Sequence, residues 1–217
     1  MTEPAYLTET RASYDTVAES YEELVRDALA HCPLERGVFE TFVEDVGKAG
    51  GGEVLDAGCG PGRITGYLHT LGTSVRGVDL SPRMVELARD LHPHLRFDVG
   101  NLTALDATDA SLSGLLAWYS TIHLPNEDLP LFFSEAARVL RPGAPLLLGF
   151  HVGDDVHRRV EHAYGHDVVG YNAHRRQPDV LETLMREHGI TPHLRVTRER
   201  TGQERTGQAF LLGHRAV

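Results

Sequence analysis

The residues best suited to chemistry begin in one run, Val54-Leu55-Asp56-Ala57-Gly58-Cys59-Gly60-Pro61-Gly62-Arg63. An apolar pair meets an acid, and glycine then takes every second position. Without a side chain, glycine lets a ligand approach the main chain and adopts backbone angles closed to other residues. An apolar strand that ends in such a loop and turns into a helix makes a nucleotide-type site at the carboxyl edge of a parallel sheet. The dinucleotide pattern G-x-G-x-x-G would need glycine at position 63, where arginine stands, and the Gly-Lys-Ser/Thr of a phosphate loop is missing. A second acid, Asp79, ends the next apolar run, where a carboxylate can take both hydroxyls of a ribose; a helix-capping aspartate is the plainer alternative. Two histidines, His123 and His151, follow later apolar runs. A neutral imidazole there could take a proton or simply orient a ligand by a hydrogen bond.

These residues need a scaffold, and the chain alternates as a parallel α/β sheet requires. Strands are expected at 53–57, 74–79, 95–99, 112–119 and 145–151. Helices are expected at 61–70, from Pro82 to about Leu91 behind the N-cap Ser81, and from Pro125 to Leu140. Two helices, 8–30 and 34–48, precede the first strand and are expected to cover the site. Residues 151–178 break the rhythm: they are polar and hold His151, His157, His162, His166 and His174. A connection of this length reads as a functional loop or lid. His162 and His166, one helical turn apart, raise a metal site, but no matching carboxylate or cysteine cluster accompanies them, so no metal is expected. A helix at 179–188 and two strands, 191–200 and 207–215, close the chain as an antiparallel hairpin. Between those strands Glu-Arg-Thr-Gly-Gln occurs twice in tandem, at 199–203 and 204–208, too short to be an architectural repeat. The expected architecture is a Rossmann-like, seven-stranded, mostly parallel sheet in one domain. It divides into a helical cover (1–48), a core (53–150), an insert or lid (151–178) and a C-terminal helix and hairpin (179–217).

The formal charge of −10 argues against a general affinity for nucleic acid. No apolar run reaches the length of a membrane span and the start lacks a secretory pattern. The two cysteines, Cys32 and Cys59, are too few for a disulfide framework. A cytoplasmic protein with a small-molecule substrate is expected, and a homodimer is compatible with the sequence.

Leu55-Asp56-Ala57-Gly58-Cys59-Gly60-Pro61-Gly62, Gly77-Val78-Asp79-Leu80-Ser81-Pro82-Arg83-Met84 and Arg138-Val139-Leu140-Arg141-Pro142-Gly143 occur in the order and spacing of one family. Together they resemble the small-molecule branch of the class I S-adenosylmethionine (SAM) dependent methyltransferases, the ubiquinone-biosynthesis type. The absence of phosphate from SAM suits the negative charge at Asp79. The resemblance implies methyl transfer to oxygen, nitrogen or carbon of a small molecule, with S-adenosylhomocysteine as product. It places Gly58 and Gly60 under the methionine part, Asp56 at the amino group, Asp79 at the ribose, and Leu80 and Met84 beside the adenine. Gly100-Asn101 stands where the family has Gly-Asp, and Leu102 covers the ring. Tyr119 and Ser120, after Trp118, line the sulfonium side, and Tyr14 and Tyr21 close over the cofactor. His123 is the first candidate for a base and His151 the second, while Arg63 could pair with a carboxylate. The same motifs also admit a SAM-binding enzyme of this fold that performs a cyclisation or rearrangement, or a non-catalytic SAM-binding module.

Overall fold

A computed structural model describes residues 3–154, 157–202 and 204–217. Helix α1 (Ala5–Val25) leads through a short 3-10 turn, Ala28–His31, into α2 (Pro33–Lys48). The alternating core follows: β1 (Val54–Ala57), α3 (Arg63–Thr70), β2 (Val75–Asp79), α4 (Pro82–Leu91), β3 (Arg96–Val99), β4 (Gly114–Trp118), α5 (Leu129–Val139) and β5 (Pro145–His151). An antiparallel pair, β6 (His157–Ala163) and β7 (His166–His174), is inserted before α6 (Pro178–Glu187), and β8 (Ile190–Arg198) and β9 (Gln208–Arg215) end the chain.

The main sheet has seven strands in the order β3-β2-β1-β4-β5-β9-β8. The strands β3 to β5 pair in parallel, and β9 lies antiparallel between β5 and β8. Chain order reverses between β1 and β4. This switch point leaves a crevice at the carboxyl ends of the strands, because the connections leave the sheet on opposite sides there.

Successive strand residues face opposite sides, so a central strand is covered on both faces; β1 and β4 are buried throughout, with Asp56 their one charged residue. Val54, Leu116 and Leu147 face Phe39 and Phe42 of α2 and Ile64 and Leu68 of α3. Leu55, Leu115, Leu146 and Leu148 face Phe132 and Phe133 of α5 and Leu181 and Met185 of α6. Each fully buried leucine or phenylalanine contributes roughly 1.5–3 kcal/mol. Ser81 caps α4, its Oγ accepting from the Met84 N–H at 3.1 Å, and Pro82 opens the helix.

Three expectations need correction. The helix expected over 8–30 ends at Val25. Pro33 opens α2, at a first-turn position where a missing N–H costs nothing. Most of α2 is not a cover: Phe39, Phe42 and Val46 are buried against the sheet, and only its first turn reaches the site. The helix expected from Pro125 begins at Leu129, after 3-10 turns at Thr121–His123 and Asn126–Asp128.

The polar stretch 151–178 is not an irregular loop but mainly the β6–β7 hairpin, with Tyr164-Gly165 at its tip. Both tip residues have positive φ, 51° and 83°, the pattern of a type I′ turn that matches strand twist. Residues 155 and 156 of that stretch, and Gln203 in the tandem repeat, lie outside the described residues. No helix among the described residues is long and apolar enough to cross a membrane.

Candidate functional site

The glycine loop leaves β1 and is fastened to β2: the N–H groups of Gly58 and Cys59 donate to the Val78 carbonyl at 2.7 and 3.0 Å. Gly58 has φ 83°, and a Cβ there would lie 2.2 Å from Cβ of Ser120. Ser120 in turn donates its hydroxyl to the Ala57 carbonyl at 2.6 Å. The end of β4 therefore leans on the loop, and only glycine leaves room for it.

Two carboxylates stand beside this loop. Asp79 accepts from the Gly60 N–H through Oδ2 at 2.8 Å and from the Ser81 N–H through Oδ1 at 2.9 Å. Burial raises its carboxyl above the usual range, against the pull of those N–H groups. Asp56 is buried. Its Oδ2 accepts from the Thr65 hydroxyl at 2.7 Å, and its Oδ1 has no hydrogen-bond partner among the described residues. Burial pushes its carboxyl up to about 7, with the Thr65 hydrogen bond opposing. Nη1 of Arg63, in the first turn of α3, is likewise buried without a partner among the described residues.

All these groups face one cavity of about 800 Å³ above the carboxyl edge of the sheet. Every residue expected at the cofactor, and both histidines, line it. Asn101 uses its Oδ1 in a turn, accepting from the Thr103 N–H at 3.0 Å, so a ligand would meet its amide N–H and one remaining lone pair. Tyr119, just after β4, has φ 56°, an angle that costs a non-glycine residue roughly 1–2 kcal/mol. That angle sets its ring 5.0 Å from the His151 ring.

The roof is α1 together with the β6–β7 hairpin. Tyr14 packs on Tyr171 and Tyr21 on Tyr164, each pair with ring centres 5.2 Å apart. Ser13 accepts from the Gly170 N–H at 3.1 Å, and Arg159 pairs with Glu9 at 2.8 Å. Asp15 joins α1 to the start of α4, accepting from the Ser81 hydroxyl at 2.5 Å.

The two histidines are held differently. His123 Nδ1 lies 2.9 Å from the Asn172 carbonyl, which can only accept, so Nδ1 carries the proton. Its Nε2 then accepts the Tyr14 hydroxyl at 2.9 Å, so both ring nitrogens are engaged. Burial pushes the His123 imidazole down to about 4. His151 has Nδ1 2.9 Å from Gln208 Oε1, and burial lowers it too.

His162 and His166 do not share a helix face. They flank the hairpin tip, His162 bonded to Asp167 and His166 to Ser20. Elsewhere Asp45, His193 and His214 converge, both Nε2 atoms lying 3.1–3.2 Å from Asp45 Oδ2. The two rings are parallel to within 3° with centres 4.2 Å apart. Their lone pairs therefore lie in separate planes and do not converge on one ion; the cluster ties α2 to the β8–β9 edge.

Sequence reasoning missed Tyr164, Tyr171, Arg175 and Gln208, all of which line the cavity. The signal for the tyrosines was Gly165 as the second residue of a two-residue hairpin turn. It was muted because tyrosine, a poor residue for positive φ, occupies the first.

Residues 54–143 match the family model described as a methyltransferase domain. A malonyl-[acyl-carrier protein] O-methyltransferase of Erwinia billingiae (strain Eb661) is 30% identical over 141 residues, covering 65% of this chain and 55% of that protein. A demethylmenaquinone methyltransferase of Tropheryma whipplei (strain Twist) is 31% identical over 144 residues, covering 64% and 58%. The chain thus spans little more than half the length of these curated relatives. Magnesium protoporphyrin IX methyltransferase from Synechocystis PCC 6803, solved with bound SAM, superposes over 100% of both chains with a TM-score of 0.74 at 18% identity. A Burkholderia thailandensis 1,6-didemethyltoxoflavin-N1-methyltransferase, solved with bound 1,6-didemethyltoxoflavin and S-adenosylhomocysteine, gives a TM-score of 0.72 at 20% identity, covering 100% of this chain and 93% of that one. Residues 54–143 thus match a methyltransferase domain in sequence, and the chain as a whole has the fold of these solved methyltransferases.

Proposed function

We propose that the chain transfers a methyl group from SAM to a small-molecule acceptor and releases S-adenosylhomocysteine. The observation that carries this proposal is a pair of buried groups of opposite charge in one cavity, Asp56 Oδ1 and Arg63 Nη1, each without a hydrogen-bond partner among the described residues. A buried polar atom left unpaired costs about 1–3 kcal/mol, more when charged. The amino and carboxylate groups of a methionine moiety would satisfy both, and neither a phosphate nor a plain nucleoside would. Asp79 would take the ribose hydroxyls on the lone pairs that Gly60 and Ser81 leave free. Gly100, Asn101, Leu102, Leu80 and Met84 would enclose the adenine.

SAM brings a methyl group already activated by a sulfonium. The protein's share is then to hold the acceptor in line, exclude water and remove a proton where the acceptor has one. Tyr14 and Tyr21, packed under the hairpin, exclude water from the space above the loop. His123 holds the Tyr14 hydroxyl in place. The named relatives act on acceptors as different as malonyl-[acyl-carrier protein] and demethylmenaquinone, so kinship supports the methyl transfer more than any one acceptor. With both cysteines unpaired, we place the protein in the reducing cytoplasm.

Calorimetric titration with SAM tests the proposal. Saturable binding is expected, weakened at least tenfold by Asp79→Ala, together with release of S-adenosylhomocysteine from an acceptor mixture. Folded protein that gives no binding heat would overturn it.

A further inference from the structure

Gln208 sits at the first position of β9, directly opposite His151 of β5 in the antiparallel register, and is buried. Its amide can be oriented without ambiguity. Nε2 lies 3.1 Å from the Thr206 carbonyl, which can only accept, so Nε2 is the end that faces Thr206. Oε1 therefore faces His151, and since it too can only accept, His151 Nδ1 must carry the proton. In a neutral ring Nε2 is then a pure acceptor, and the ring lines the cavity. His123 lacks this freedom, because Tyr14 occupies its Nε2.

We propose that Gln208 is a positioning residue that fixes His151 as the proton acceptor of the acceptor subsite, and that the acceptor presents an ionisable hydroxyl, phenol or enol, whose anion Arg175 stabilises. This rests on the methyltransferase function proposed above. The half-buried Arg175 lines the cavity and forms no hydrogen bond or ion pair among the described residues. The groups acting on His151 are Arg175, whose charge disfavours the imidazolium, and Glu204, which favours it while paired with Arg198 at 2.6 Å. The Tyr119 ring packs against His151, and His123 lines the same cavity, near enough for the two imidazoles to disfavour each other's charge. Burial and Arg175 keep His151 neutral, the state a base must start from. In the step, the hydroxyl proton passes to His151 Nε2. An oxygen electron pair forms the new O–C bond as the C–S bond of the donor breaks with its pair going to sulfur. The imidazolium then returns the proton to solvent. Methyl transfer to a tertiary amine or thioether, which has no proton to lose, would leave this arrangement without a purpose.

Long-range 1H–15N spectra of histidine-labelled protein test the tautomer without any acceptor, with His151→Ala assigning the signals. The Nδ1–H form is expected for His151. Gln208→Leu should give a mixture of tautomers, and Gln208→Glu, close in shape and adding a charge, should raise the His151 titration by at least one pH unit. An Nε2–H signal in the unmodified protein, or titrations indifferent to both substitutions, overturns the positioning role. For the acceptor class, 4-nitrophenol is titrated in the presence of S-adenosylhomocysteine and its phenolate absorbance followed. Bound probe should ionise at lower pH than free probe, and the shift should vanish in Arg175→Gln. An unshifted ionisation, or no saturable binding, overturns the class. SAM calorimetry on the same samples separates these outcomes from failure of the methyltransferase proposal, which would remove SAM binding and leave the His151 tautomer as measured.

Discussion

Asp56 shows how one side chain couples stability to binding. Its folded carboxyl titrates at about 7 against an ordinary value of 3.8, chiefly through burial. The folded protein therefore binds more protons than the unfolded chain between those values, and Asp56 makes stability fall as pH rises through that window. Asp56→Asn removes the dependence and keeps an acceptor for the Thr65 hydroxyl. The cofactor-free variant should melt higher than the parent at pH 8, with the gain shrinking toward pH 4, yet bind SAM more weakly; scanning calorimetry at both pH values checks this. His123 works the other way. Lowered from 6.5 to about 4, it binds fewer protons folded than unfolded, so its contribution is present above pH 6.5 and lost as pH falls through about 4. His123→Asn, which can still donate to the Asn172 carbonyl, should flatten the decline of the urea midpoint between pH 6.5 and 4.

At the scale of elements, the glycine loop and the hairpin tip separate two uses of glycine. Both Gly58 and Gly165 have φ 83°, but a Cβ at 58 would strike Ser120 whereas at 165 nothing lies within 4 Å. Gly165→Ala should cost about 1 kcal/mol, the backbone penalty alone, and leave SAM affinity unchanged. Gly58→Ala must also displace the end of β4, so it should cost roughly 2 kcal/mol or more and abolish SAM binding; urea unfolding beside calorimetry distinguishes the two. The same contrast explains what was legible in the sequence. Asp56, Gly58 and Gly60 were readable because one short segment contains the whole device of strand end, loop and helix start, and Asp79 because it ends the next apolar run. The sheet was readable because both-face burial forces apolar runs. The hairpin was not, since its tip carries tyrosine where asparagine or glycine would have announced a turn. The layer role of α2 was not either, because the apolar stripe of a helix says that it packs and not against what. Gln208 is the last residue of a five-residue duplication, and as sequence it looked like surplus turn. Its role depends on lying opposite His151, a pairing across two strands far apart in the chain.

The molecule as a whole is a rigid half-site with a roof laid over it. The sheet, α3 and the loop are built into the main core, while α1 and the β6–β7 hairpin hold mainly to one another. Their links include Ser13 with Gly170, Ser20 with His166, Glu9 with Arg159, and the two tyrosine pairs. Several contacts anchor the roof to the core, Tyr14 and Asn172 with His123 and Tyr6 with Asp128 among them, and two more adjoin the cavity. Asp15 bonds Ser81, two residues past the end of β2, and the buried Arg176 donates to the Thr121 and Leu124 carbonyls beside His123. Both anchors adjoin groups that a cofactor would contact, so ligand binding should tighten the two halves of the roof together rather than either alone. Hydrogen exchange with and without S-adenosylhomocysteine reads this directly. Amides of α1 and of both hairpin strands should slow by a similar factor, while those of the C-terminal turns of α5 and of α6, packed against the sheet, should not change. Ser13→Ala deletes one link between the halves without touching the cavity floor, and it should uncouple them, leaving α1 protected and the hairpin exchanging as in the free protein. Equal protection of both halves in that variant would show that they close independently and that the roof is not a single unit.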